Sequence, residues 1–574
     1  MRSVQTTIIA LILALFTCNC NNPDIDPDPA PDPDANITLD ELADKGVYTE
    51  GKIVDCRYFM GVRTNRIVVN HSEYKSPVSL DLSRVGYYRI EIFTKTSSGS
   101  TPDVIRMVIL DPERGQTEWG LPPWTPEGVK IETIGEQGIQ TIYPRNIPQG
   151  FRFPLVVVVD GQLTRSTDNL NVTVGSTSFL VKRGVGSIWV PSVDQSPDGL
   201  VIDHRTFPIQ TGNMAGPPIS LSGVMEENTH IPPGSYVNIP ADLTIPSGMV
   251  LTIEPGAFIT IDPEVNIYNE GTLHIQGSEV SPVTVTCTDH KAYWGGVIGA
   301  AAGNHVVASH TIFGRSGHHT GGEYDWGHAH RQALFYCENG SLSLDHCYMI
   351  DHIGQIFYTV SASLELEYCL VQRAKTGGQL NASQVSINHS VFTDFPDDSN
   401  VYQDRDNDGL YLIECIALIN NSVFMYAKDD GLDSGGGSTG GDVTVTNTRF
   451  ESTFHEGAAL SGGSSSGKNQ SFSNCIFLDC GQGLELGYSS SKHLVLVDSC
   501  SFFRNGIGIR YGDCYEYPNN GYISVSNSES LENSIFDVWN MDREDWVADT
   551  FHMEFSNVWV TTGNPMYPQL KILE

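Results

Sequence analysis

Five short phrases in the second half of the chain gather the side chains that could do chemistry. They are Asp404-Arg-Asp406-Asn-Asp408-Gly409, Lys428-Asp429-Asp430-Gly431-Leu432-Asp433, Phe454-His455-Glu456-Gly457, Gln482-Gly-Leu-Glu485-Leu-Gly-Tyr488 and Arg510-Tyr511-Gly512-Asp513. A glycine recurs at the opening of a strand in each repeat, as Gly354, Gly378, Gly409, Gly431, Gly457, Gly483 and Gly508. Just before it stand Asp408, Asp430, Glu456 and Gln482, and behind them Asn407, Asp429 and His455. Two residues after it come Tyr411, Asp433, Ala459, Glu485 and Arg510. Alternation puts the residues two before and two after the glycine on one face, and a turn at the glycine would add the residues just before it.

Asp406, Asp408, Asp429, Asp430 and Asp433 would then crowd onto two adjacent coils. Carboxylates so close repel unless a cation or protons neutralise them. The Asp404 phrase is the first half of an EF-hand-like loop, with oxygen donors at alternate positions and Gly409 at the turn. It departs at its twelfth position, Cys415, where a bidentate Glu belongs. Calcium is therefore the expected cofactor, with a solvated acidic turn as the bland alternative.

Three functional classes compete. Elimination on an acidic glycan needs a cation beside the uronate carboxylate and a base for the C5 proton. Calcium, Arg510 as clamp, and Lys428, His455 or a loop histidine with Tyr324 would supply these. Glycoside hydrolysis needs two working carboxyl groups, such as Asp430 with Glu456 or Glu485. Glycan capture without catalysis needs stacking platforms, for which Trp326, Tyr324, Tyr411 and Tyr488 serve. Tyr324, Trp326, His328 and His330 belong to the stretch from Gly314 to Arg331, a His-rich excursion that interrupts the repeat and reads as a functional loop. As a surface excursion it is expected to contribute little to stability. His455 is equally readable as a structural histidine, and Lys428 as the partner of a neighbouring Asp.

These groups must be positioned by a repeat. From Ser343-Leu-Asp-His-Cys-Tyr-Met to Phe555-Ser-Asn-Val-Trp-Val one phrase recurs nine times, with the small residues Cys347, Cys369, Ser390, Ser422, Thr448, Cys475, Cys500, Ser528 and Val558 in one column. The spacing of 21 to 32 residues is one supersecondary unit per repeat. The column just before is mostly Asn (Asn421, Asn447, Asn474, Asn527, Asn557), a residue that suits tight turns and hydrogen-bonded ladders. Short alternating runs that cannot bury a face alone, stacked about 4.8 Å apart, define a parallel β-helix.

The helix is expected over residues 218–565, its first coils lying between Ile219 and Val285, with a tail at 566–574. Before it, residues 39–217 read as strands separated by Gly/Pro/Ser turns, a β-sandwich-like region acting as spacer or carbohydrate-binding accessory. Residues 1–17 form an export signal, whose apolar run from Ile8 to Phe16 is too short for a membrane span. Leu15-Phe16-Thr17-Cys18 resembles a bacterial lipobox, although Phe16 and Thr17 are not its usual residues. Cys18 is the expected lipidated residue, Cys20 the alternative, and residues 18–38 an acidic Asp/Pro tether. This arrangement resembles the surface lipoproteins of Bacteroidetes-type bacteria and implies a place on the outer membrane, facing the periplasm or the cell surface.

A formal charge of −35 over 574 residues disfavours nucleic acid and anionic membrane surfaces as partners. The expected partners are a glycan substrate and, through the lipid anchor only, the membrane; the expected state is a monomer. The chain has 12 cysteines without a disulfide framework, so the column cysteines are expected as buried thiols.

Lys428-Asp429-Asp430-Gly431-Leu432-Asp433 also resembles the Asp-Asp-Gly-x-Asp calcium phrase of β-helix pectate lyases. Together with the other four phrases, it resembles a family of bacterial right-handed parallel β-helix proteins within the pectate-lyase-like superfamily. Some members are joined to CotH-like kinase domains, but no kinase signature occurs in this chain. The resemblance covers roughly residues 220 to 565 and implies fold more firmly than reaction. The favoured expectation is a calcium-assisted polysaccharide lyase or oligosaccharide dehydratase, with a hydrolase or a surface glycan-binding protein as the alternatives.

Overall fold

The computed structural model describes residues 32, 34–44, 46–48, 51–94, 102–110, 139–159, 170–174, 177–191, 200–202, 205–207, 210–211, 214–396, 407–435, 442–462, 469–489, 494–512, 520–541 and 552–573. From Ile219 onward the chain is a parallel β-helix. A 13-stranded sheet forms one wall, and a 26-stranded array forms the other two. Those two walls are joined because the ten-residue strands His305–Gly314 and Ser341–Ile350 run through the bend between them.

The bend explains the asparagine column. His310, His346, Tyr368, His389, Asn421, Asn447, Asn474, Asn527 and Asn557 all have φ between 41° and 56°, the left-handed region in which Asn and His are over-represented. The residue that follows each bend from Cys347 to Val558 points inward and is fully buried. Its small hydroxyls are satisfied along the stack. Cys369 N–H donates to Ser390 Oγ at 3.1 Å, Ser390 N–H to Ser422 Oγ at 3.2 Å and Cys500 N–H to Ser528 Oγ at 3.0 Å. All nine described cysteines are buried free thiols. Phe392, Phe424, Phe450, Phe477 and Phe502 stack ring on ring at 4.8, 5.4, 4.8 and 4.6 Å, the spacing that one coil per repeat imposes.

Two small β modules precede the helix, each with its own apolar core. The first pairs a 3-stranded with a 6-stranded sheet, and the second a 3-stranded with a 4-stranded one. Both dock on the helix. The second lays Val156, Val158 and Val185 against Ile350, Leu370, Val391 and Val423. Polar pairs fix its position: the buried Arg183 with Glu451 at 2.5 Å, and two half-buried pairs, Lys182 with Asp394 at 2.6 Å and Trp189 Nε1 donating to Asp351 at 2.7 Å. The first module packs Val47, Val108 and Leu110 against Ile507, Trp539 and Met541 on the last coils. Among the described residues no helix is long and apolar enough to cross a membrane. Cys18, Cys20 and most of the tether lie outside the described residues.

Candidate functional site

The 13-stranded wall carries the chemistry. Its strands Tyr411–Ile413, Leu432–Gly435, Glu456–Gly462, Gln482–Ser489 and Ile507–Tyr511 pair in parallel so that Tyr411, Asp433, Ala459, Glu485 and Arg510 form one row. This is the row expected from the residues two after each glycine. It continues upstream through Gln379, Tyr358 and Tyr336, and downstream to Trp539.

The glycine column runs through Gly409, Gly431, Gly457, Gly483 and Gly508, each so close to the next coil that a Cβ would strike its neighbour. Its upstream member is Gly377 rather than Gly378, because Gln379 pairs with Tyr411. Gly354 falls two positions earlier in the register than the column requires, so it does not belong.

The chain bends at Gly409 and Gly431, whereas Gly457, Gly483 and Gly508 lie within strands; the polar residues just before the first four of these glycines nevertheless hydrogen-bond from coil to coil. Asp430 N–H donates to Asp408 Oδ1 at 3.3 Å, and Glu456 N–H to Asp430 Oδ1 at 3.0 Å. Gln482 Nε2 donates to Glu456 Oε1 and, at 3.3 Å, to Glu485 Oε2. Arg510 Nη1 closes the line on Glu485 Oε2 at 2.8 Å and reaches Gln482 Oε1 at 3.4 Å. Asp430 and Glu456 are also hydrogen-bonded to each other through their side chains.

Burial and mutual repulsion set the charge. Burial, with Asp429, Asp430 and Asp433 alongside, pushes the Asp408 carboxyl well above its ordinary range. Burial and Glu456 do the same to Asp430, and burial and Glu485 to Glu456. Glu485 is the exception: burial is the largest influence and pushes it up, but Arg510, Glu456, His455 and Gln482 together outweigh it and hold the carboxyl below its ordinary range. Burial works against a charged His455, but Asp429, Asp430 and Glu485 overcome it and carry the imidazole up to about 9. His455 Nδ1 lies 2.5 Å from Glu456 Oε2 and 3.4 Å from Asp429 Oδ1. Burial and neighbouring acids thus favour the protonated forms of Asp408, Asp430 and Glu456, while the acids around His455 favour its charged form.

Asp429, Asp430 and Asp433 lie within electrostatic reach of Asp408 on the preceding coil. The donor atoms that converge within 4.8 Å, however, are those of Asp429, Asp430 and His455. Calcium takes about six to eight oxygen ligands and does not select an imidazole. Three converging donors, one of them an imidazole, fit calcium poorly. A second group, His310, Asp345 and His346, sits on the bend column, where the rings stack at 4.6 Å and continue onto Tyr368 and His389. It reads as part of the turn ladder.

The His-rich excursion folds down onto the same wall. Tyr324 packs edge-on against Tyr336 at 5.0 Å and near Tyr268 at 6.4 Å. Gln355 Nε2, fully buried, donates to Trp326 O at 2.9 Å and Arg331 O at 2.7 Å. His328 N–H donates to Gln379 Oε1 at 2.8 Å, and its ring lies over Tyr411 with centroids 4.1 Å apart. Trp326 and His330 are exposed. Lys428 is buried at the turn before Asp429. Asp406 lies outside the described residues; Tyr488 is placed only by its backbone, in strand Gln482–Ser489.

Trp539 was not legible as part of the row, because Asp537 stands where the other repeats carry glycine. Tyr87, whose ring meets Phe536 at 5.4 Å and Trp539 at 6.0 Å, comes from the first N-terminal module. No local pattern announces a contact between positions so far apart, and its consequence is that this module is a wall of the site.

Fold and site together define a parallel β-helix protein with a row of buried acidic side chains along one wall. No protein-family model matches this chain, and no curated protein matches it.

Proposed function

We propose that this protein acts on an acidic oligo- or polysaccharide by β-elimination. The observation that carries the reading is His455. Its acidic surroundings favour the charged imidazole, and its side chain, 22% exposed, lies beside Asp429, Asp430 and Glu456, two coils from the His328–Tyr411 stack. In elimination a base takes the C5 proton of a uronate, the C4–O4 bond breaks, a C4–C5 double bond forms, and O4 leaves with a proton. Negative charge gathers on the uronate carboxylate as the proton leaves, and His455 is the group suited to stabilise it. His328, at the rim against Tyr411, is suited to take the C5 proton, and Glu456, kept protonated by its surroundings, to give one to O4. Arg510, bound to Glu485 and buried under Trp539, serves the ladder rather than the substrate.

Hydrolysis is the less supported reading. Retaining pairs of carboxyl groups stand about 5–5.5 Å apart and inverting pairs about 6.5–9.5 Å. Asp430 and Glu456 instead touch through a hydrogen bond, which leaves no room for a sugar or a water between them. A lipid anchor at Cys18 and an outer-membrane location remain part of the proposal, as does a monomeric state. Absorbance of new C4–C5 double bonds across a panel of uronate glycans, with and without chelator, tests it. A chromophore that forms in chelator supports His455 as the cation, and its absence from every glycan would refute the reading.

A further inference from the structure

The row along the wall is closed at both ends. Upstream, the loop covers Tyr336, Tyr358 and Gln379 and ends with His328 on Tyr411. Downstream, Glu485, Arg510 and Trp539 are almost wholly buried, and Tyr87 with the first module's Val108 and Leu110 packs over the last coil. Between these covers, Asp433, Ala459 and His455 retain partial exposure. They belong to two adjacent coils, about 4.8 Å apart. Ala459 is the smallest side chain of the row from Tyr411 to Arg510, so it forms a notch between Asp433 and Glu485.

We infer that the site admits the end of an acidic sugar chain through this window and does not accept the interior of a polymer. The inference rests on the glycan reading above. A chain lying along the helix axis would have to pass through His328 on one side or Trp539 on the other, whereas a terminal unit needs only the notch. The first N-terminal module is thereby a specificity element, in place of the spacer expected from its sequence.

The test uses the full chain with a size ladder of end-labelled acidic oligosaccharides and their parent polymer. Release of one short product from one end at the earliest times, with polymer viscosity nearly unchanged while chromophore accumulates, is the expected result. Early fragments of all lengths, with a collapse in viscosity, would overturn the inference and leave the elimination reading standing. No chromophore from any length would overturn that reading and the inference with it. Ala459→Phe fills the notch from the outside, so kcat/KM should fall at least a hundredfold with the melting temperature within a degree or two of wild type. A folded A459F enzyme with wild-type turnover would also overturn the inference.

Discussion

His455 Nδ1 sits 2.5 Å from Glu456 Oε2, although the two are sequence neighbours that simple alternation would send to opposite faces. The bend at Phe454 and His455, just before strand Glu456–Gly462, brings them together. It makes an acid–imidazole pair out of two residues that look unremarkable in the chain, and the properties of that pair can be measured.

Stability should fall as pH rises. His455 is lifted from 6.5 in the unfolded chain to about 9, so its contribution is complete below 6.5 and lost as pH climbs through about 9. Asp430 and Glu456 are raised too, so the folded state also holds their protons longer and loses that advantage above the ordinary carboxyl range. Thermal melts from mildly acidic to alkaline pH should show a declining melting temperature, and Glu456→Gln should flatten the decline. A melting temperature that rises over that interval would contradict the charge assignment.

Glu485 and Arg510 should behave as a structural pair. Removing one partner leaves a buried charge alone, which costs about 3–5 kcal/mol. Glu485→Ala and Arg510→Ala should each lose that much in denaturant melts, and the double change Glu485→Gln with Arg510→Met should recover most of it. Equal losses in the single and double variants would show that the two do not act together.

Calcium separates the two ways of balancing the cluster. A ligand that binds only the folded state raises its stability by RT ln(1 + [L]/Kd), about 2.7 kcal/mol at a hundredfold excess over Kd. With His455 as the counter-charge, calcium and chelator should leave the melting temperature unchanged. A rise on adding calcium that Asp430→Asn and Asp433→Asn abolish would restore the metal site expected from the acidic phrases.

The loop should matter for stability as well as turnover. The sequence suggested a free excursion, but Tyr324 packs on Tyr336, and Gln355 gives its amide to the loop backbone. Deleting residues 317–330 should cost several degrees in melting temperature and deprive the Gln355 amide of Trp326 O. An unchanged melt would mean that the loop is not docked.

Much of this arrangement was legible because a β-helix is nearly one-dimensional. Once Gly409, Gly431, Gly457, Gly483 and Gly508 are aligned, period-two alternation alone puts Tyr411, Asp433, Ala459, Glu485 and Arg510 in one row. The left-handed bend at Asn421 and its counterparts was legible for the same reason. The Gly377 register was missed because two consecutive glycines offer two alignments. Trp539 and Tyr87 were hidden because a side chain that crosses between modules leaves no periodic trace. The pairing of Arg510 with Glu485 leaves no trace in the sequence, because the two come from adjacent coils at a distance set by folding.

Anchoring is tested apart from the site. Cys18→Ser should release the protein from the membrane fraction. Full retention of the Cys18 and Cys20 single variants and of the double variant would refute the tether.

The most direct test of elimination is the fate of water. Run in heavy-oxygen water, the wild type should give products that carry the C4–C5 double bond and no added oxygen, and His455→Gln should slow their formation by about 10²- to 10⁴-fold. Heavy oxygen at the new reducing end, with no chromophore, would mean hydrolysis and would contradict the account.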